Sequence, residues 1–147
     1  MTARRRSLFR RHSLTIVSAA ILTLWIVLYS ISNPDTHLGS FFGNAIADWT
    51  GLVVMVVATK FLYERGSVES KRPRGVLPKR WEELVRDHSL TIFLLITGAL
   101  WIAAYLRMDV QGRWGQVVGN IVSEWTQVLG VVLMTKRLVE PGSKESK

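Results

Sequence analysis

Two polar pairs interrupt otherwise apolar sequence and are the groups best placed to do chemistry. Asn44 and Asp48 form one, Asn120 and Glu124 the other. The i, i+4 spacing puts both members of each pair on one helix face. A carboxylate within a membrane-spanning helix costs about 2.5–3.5 kcal/mol on insertion scales, so such residues are functional candidates by default. Two roles are open. The acids form a proton or cation site, or they hydrogen-bond to neighbouring helices or to headgroups near Trp49 and Trp125. Ser18, Thr23, Thr97 and Gln127 are the candidate polar partners.

Other chemistries lack their residues. The chain has no cysteine, which excludes thiolate zinc sites, iron–sulfur clusters, disulfides and cysteine nucleophiles. Its three histidines, His12, His37 and His88, lie far apart, and no HExxH, GxSxG or P-loop pattern occurs. No catalytic residue, metal site or cofactor is expected. Glu64 and Glu140 are candidates to pair with His12 and His88 across the mouths of helical hairpins, although solvated helix ends are the simpler expectation.

The polar pairs sit beside a ridge of small residues. Gly39, Gly43, Ala47 and Gly51 follow at intervals of four, matched by Gly115, Gly119, Ser123 and then Gln127. Such a ridge lets helix backbones approach closely in lipid, within one molecule or between copies.

The elements that must position these groups are four long apolar stretches: Leu14 to about Ser32, Phe41 to Leu62, Leu90 to Leu106, and Val117 to Leu138. Each approaches the ~20 residues needed to cross a bilayer. The first and third have no polar face, unlike a soluble amphipathic helix. The expected fold is therefore all-α, a polytopic membrane protein with four transmembrane helices. Arg5-Arg6-Ser7-Leu8-Phe9 loosely fits a twin-arginine signal. A cleaved signal is disfavoured because the stretch lacks an A-x-A site, and a near copy sits mid-chain at His88–Leu106.

Shifted by 76 residues, the chain overlays itself without a gap, and 25 of the 62 positions from Arg10 to Lys71 are identical. The unit is a two-helix hairpin used twice in tandem, residues 1–71 and 72–147, together one four-helix membrane domain. Each hairpin crosses twice, so the repeat is parallel. Gly66 to Leu77 reads as the linker, and Pro78 to Arg86 as a short interfacial helix with Trp81, Leu84 and Val85 on one side. Its counterpart is Arg4–Arg11. Ser13 and Ser89 suit helix N-caps, Gly66 and Gly142 suit helix stops, and Lys60 and Lys136 suit snorkelling helix ends.

Charge sets the expected orientation. Of 19 Lys and Arg residues, 17 fall in the N-terminal, middle and C-terminal segments, leaving only Arg107 and Arg113 for the other side. Positive residues stay cytoplasmic, so both termini are expected inside. The formal net charge of +8 then reads as orientation plus attraction to anionic headgroups, and not as nucleic-acid binding.

The segments "ERGSVESK" (Glu64–Lys71) and "ADWTG" (Ala47–Gly51) resemble a family of small bacterial membrane proteins of unknown function, built from hairpin units with GSxESK-like tails. The resemblance covers most of the chain. The second half departs from it at Pro141 and Gln127. It implies a bacterial inner-membrane protein and no particular activity. The expected function is a non-enzymatic accessory or structural role through helix–helix and lipid contacts, with homo-oligomerisation open. The alternative is a small oligomeric proton or cation channel using Asp48 and Glu124.

Overall fold

The computed structural model describes residues 8–73, 75 and 79–144, with side chains from His12 onward. Among these residues there are five helices and no strand: α1 Leu8–Ile31, α2 His37–Phe61, α3 Arg80–Asp87, α4 Ser89–Arg107 and α5 Arg113–Met134. α1 from His12, α2, α4 and α5 are each long and apolar enough to cross a membrane. The chain is an all-α multi-pass membrane protein. Its outer surface agrees, with Leu24, Ile31, Leu100 and Leu106 all more than half exposed. Apolar exposure on this scale needs a lipid solvent.

The spanning segments start earlier than the apolar stretches alone indicate. α2 and α5 each begin four residues before Phe41 and Val117. Short loops set those starts. The α1–α2 loop carries Asn33 and Pro34, which cannot continue a helix. Thr36 then caps α2, its hydroxyl accepting from the Gly39 N–H at 3.1 Å. Gly39 and Gly115 are required here. A Cβ on either would overlap the backbone carbonyl of Asn33 or Asp109 in the preceding loop. The two loops therefore fold back in the same tight way.

α1 packs on α2, α4 packs on α5, and the hairpins join through α2 and α5. Tyr29, Ile46, Ala47, Leu90, Leu94, Val117, Ile121, Trp125 and Val132 fill the core. The small-residue ridge serves mainly inside each hairpin. Gly43 faces the Tyr29 ring, and Gly119 faces the equivalent ring of Tyr105. Ser123 departs from the expected ridge, because it is exposed. Gln127, the last ridge position, is exposed as well.

α3 lies at the end of the bundle where α1 and α4 begin and α2 and α5 finish. Glu82 and Glu83 in its first turn and Arg86 in its last match the helix dipole. Its apolar side, Trp81, Leu84 and Val85, is at least half exposed, which suits a helix lying on a bilayer surface. Pro78 lies outside the described residues, as do residues 4–7 of the Arg4–Arg11 counterpart. α1 continues through His12 with a local bend (φ −130°, ψ 18°), so Ser13 is not a helix N-cap. Ser89 is not an N-cap either: His88 takes that position and Ser89 is the first residue of α4, its hydroxyl serving other partners, described below. Gly66 and Gly142 are not helix stops either. Both lie several residues past the helix ends, in left-handed turns with φ of 91° and 87°.

Candidate functional site

Two polar sites stand out, one at mid-helix and one at the terminal end. The mid-helix site lies on the seam between α2 and α5. Asn120 Nδ2 donates to Asn44 Oδ1 at 2.5 Å. These two residues are 76 apart, so each meets its own repeat partner, as residues beside a two-fold axis do. One turn further, Asp48 and Glu124 face the same cavity from the two sides of the seam. Both acids line a cavity of about 270 Å³ with Gln127, Gly51, Met55 and, toward the terminal end, Glu69. The groove is open on its outer side. Asp48 and Asn44 are exposed, and Glu124 and Asn120 are half-buried.

The structure thus brings Asn44, Asp48, Asn120 and Glu124 together, with Gln127 beside them. It separates them from the other candidate partners. Ser18 and Thr23 bond back to their own helix at Leu14, Thr15 and Ala19. Thr97 is taken by the indole of Trp125, 3.0 Å away. Trp125 is itself only 4% exposed and also donates to the Leu94 carbonyl. It is a core residue and not a marker of the membrane surface. Both acids fall near the middle of their helices, Asp48 about 16 Å along α2 at 1.5 Å per residue.

Two carboxylates facing each other repel, and the repulsion is strongest where water is scarce. A shared proton or a bound cation relieves it. The amides of Asn44, Asn120 and Gln127 offer both donors and acceptors to such a guest. Among the described residues no group of three or more His, Asp or Glu side chains is arranged to hold a metal ion.

The second site gathers residues that the sequence offered in a different pairing. After α2 the chain turns at Glu64 and inserts between the ends of α4 and α5. Glu64 is fully buried and ion-paired with Lys136. His88 Nδ1 lies 2.7 Å from its Oε1, and the Thr91 N–H donates to its Oε2 at 3.3 Å. Burial alone would discourage ionisation. The hydrogen bonds from Lys136, Thr91 and His88 outweigh it and hold the carboxyl below its ordinary range.

The surrounding backbone fixes this segment. Ser89 Oγ accepts from the Tyr63 N–H at 2.9 Å, and the Leu90 N–H donates to the Tyr63 carbonyl at 3.1 Å. The Arg65 N–H donates to the Asp87 carbonyl at 2.7 Å. Ser67 and Thr135 hydroxyls meet at 3.1 Å. The expected pairing across one hairpin mouth is therefore replaced. Glu64 pairs with His88 of the other hairpin, while His12 meets Lys60, Nδ1 to Nζ 3.2 Å. Lys136 does not snorkel away but turns inward, its side chain 23% exposed. The sequence signal was present in the repeated "HSLTI", "TK" and "E-x-G-S" segments. What was missing was that a tail crosses to the neighbouring hairpin.

A third cluster joins the hairpins at the loop end. Arg113 donates to the Ser30 and Ser32 carbonyls at 2.8 and 2.9 Å, capping α1. Tyr29 Oη in turn donates to the Arg113 carbonyl at 2.6 Å.

No protein family, curated protein or solved structure matches the chain.

Proposed function

We propose that this is a non-enzymatic protein of the bacterial inner membrane that self-associates through the α2–α5 groove. Both termini face the cytoplasm, where the basic segments meet anionic headgroups. One observation carries the reading: polar and acidic side chains at mid-helix lie open on the outer face of the bundle. Lipid cannot satisfy them, and charged groups at that depth face protein or water. A second copy covers the groove most economically, because Asn44 and Asn120 already make it self-matching.

The chain has no native cysteine, so single cysteines test this directly. Ser123→Cys, exposed beside the groove, is expected to form interchain disulfides in membranes. Leu100→Cys, on the far-side helix α4, is not. Equal cross-linking at both positions, or none at Ser123→Cys, overturns the assembly.

The facing carboxylates of Asp48 and Glu124 favour a second reading, a proton or cation pathway within that assembly. Four helices rarely enclose a pore, so this reading requires the oligomer. It predicts pH- or cation-dependent flux in proteoliposomes that Asp48→Asn with Glu124→Gln abolishes while the fold persists. Absence of flux in the wild type removes it.

A further inference from the structure

The Glu64 site has a counterpart in the first hairpin. Its holders recur 76 residues earlier without change: His12 for His88, Ser13 for Ser89, Thr15 for Thr91, Thr59 for Thr135 and Lys60 for Lys136. The backbone repeats too. His12 (φ −130°, ψ 18°) bends α1 as His88 (φ −122°, ψ 15°) bends the start of α4. In α4 that bend leaves the Thr91 N–H available to a carboxylate. In the first hairpin Lys60 Nζ and His12 Nδ1 already converge, 3.2 Å apart.

The carboxylate partner recurs as well. Glu140 opens a turn with the same hydrogen bond as Glu64. The Ser143 N–H donates to the Glu140 carbonyl at 3.0 Å, and the Ser67 N–H to the Glu64 carbonyl at 3.2 Å. Gly142 and Gly66 share a positive φ at the third position. Glu140 nonetheless lies exposed, whereas Glu64 is wholly buried.

We propose that His12, Lys60 and the Thr15 N–H form a second carboxylate-binding site, and that its occupant is Glu140 of the same chain. The seam argues for the same chain. Asn44 against Asn120 places a pseudo-two-fold axis between α2 and α5. A two-fold that lays the first tail on the second hairpin also lays the second tail on the first.

Two substitutions make this second clasp the weaker. Pro141 replaces Arg65 and has no N–H to donate where Arg65 donates to Asp87. Arg11 replaces Asp87, so the Asp87–Arg65 charge pair, 4.0 Å apart, has no equivalent. The first tail is thus anchored, and the second opens and closes.

The test pairs Thr59→Cys with Ser143→Cys, the counterparts of Thr135 and Ser67. Wild-type background is oxidised in proteoliposomes, and disulfides are mapped on the intact chain. An intrachain disulfide is expected, forming about fivefold more slowly with Glu140→Gln or Lys60→Gln, as for loss of a partly exposed ion pair. A Pro141→Arg change is expected to speed it. Three results overturn the proposal: no disulfide while the Ser67→Cys/Thr135→Cys pair forms one, a rate indifferent to Glu140→Gln and Lys60→Gln, or disulfides only between chains. Carbodiimide labelling of Glu140 in the cysteine-free protein gives an independent reading. Labelling is expected to rise when Lys60 is replaced by Gln, and unchanged labelling counts against the clasp.

Discussion

Two carboxylate sites in one small bundle are built on opposite terms. Glu64 has lost all contact with solvent and has a cation, an imidazole and a backbone N–H around it. Asp48 and Glu124 share a groove open to the outside with Gln127 and Glu69. A buried charge that is fully paired ties elements together and has nothing left to offer. Among the described residues no cation pairs with Asp48 or Glu124, and that difference is what the proposed association or ion pathway rests on. The contrast separates a structural carboxylate from a candidate functional one where sequence motif and apolar context look alike.

Four changes test that contrast. The largest effect is expected at Glu64→Ala, which strands Lys136 in a partly buried position. About 3 kcal/mol of stability should be lost, read as a lower thermal midpoint in detergent. Replacing both partners, Glu64→Leu with Lys136→Met, should recover much of it. If the double variant is no better than the single one, the pairing is not what matters there.

Acid comes next. The Glu64 carboxyl is held below its ordinary range, so its contribution is full above about pH 4.3, the unfolded value. It is lost as pH falls through the lower folded value. Acid titration of unfolding should show this loss in the wild type. Glu64→Gln should flatten it, being less stable than the wild type near neutral pH and converging with it in acid.

Arg113→His, which installs the residue found at the equivalent position His37, should release the α1 carbonyls. The cost should be about 1 kcal/mol, with faster amide exchange confined to the loop end of α1. Smallest of all is the stability change expected from Asp48→Asn with Glu124→Gln, within about 1 kcal/mol. Association or flux should change instead. A large drop in monomer stability from this variant would place the groove in the same structural class as Glu64.

Much of the architecture was legible because a bilayer demands long apolar helices, and because the repeat fixes which segments correspond. α4 could be bounded to within a residue of Leu90 and Leu106. The starts of α2 and α5 were less legible. His37 to Ser40 and Arg113 to Gln116 are not uniformly apolar, and only the loop contacts at Gly39 and Gly115 show how far the helices run. Asn44, Asp48, Asn120 and Glu124 were found on one face by spacing alone. That the two faces meet each other required the seam. Glu64 was mispaired because sharing one hairpin favoured His12, whereas the chain leaving α2 bonds through Tyr63 to Ser89 and Leu90 and so brings Glu64 to α4.

Composition and spacing alone decided the solvent, the number of crossings, the repeated unit and the positions of the mid-helix acids. Each of those follows from hydropathy or from helical periodicity, which are local properties. Which carboxylate is enclosed, which is open, and that the first tail clasps the second hairpin were decided only when α2 and α5 packed together. Those outcomes depend on distances between groups remote in sequence: the Arg65 N–H and guanidinium both reach Asp87, and Pro141 and Arg11, at the equivalent positions, lack the groups to repeat either contact.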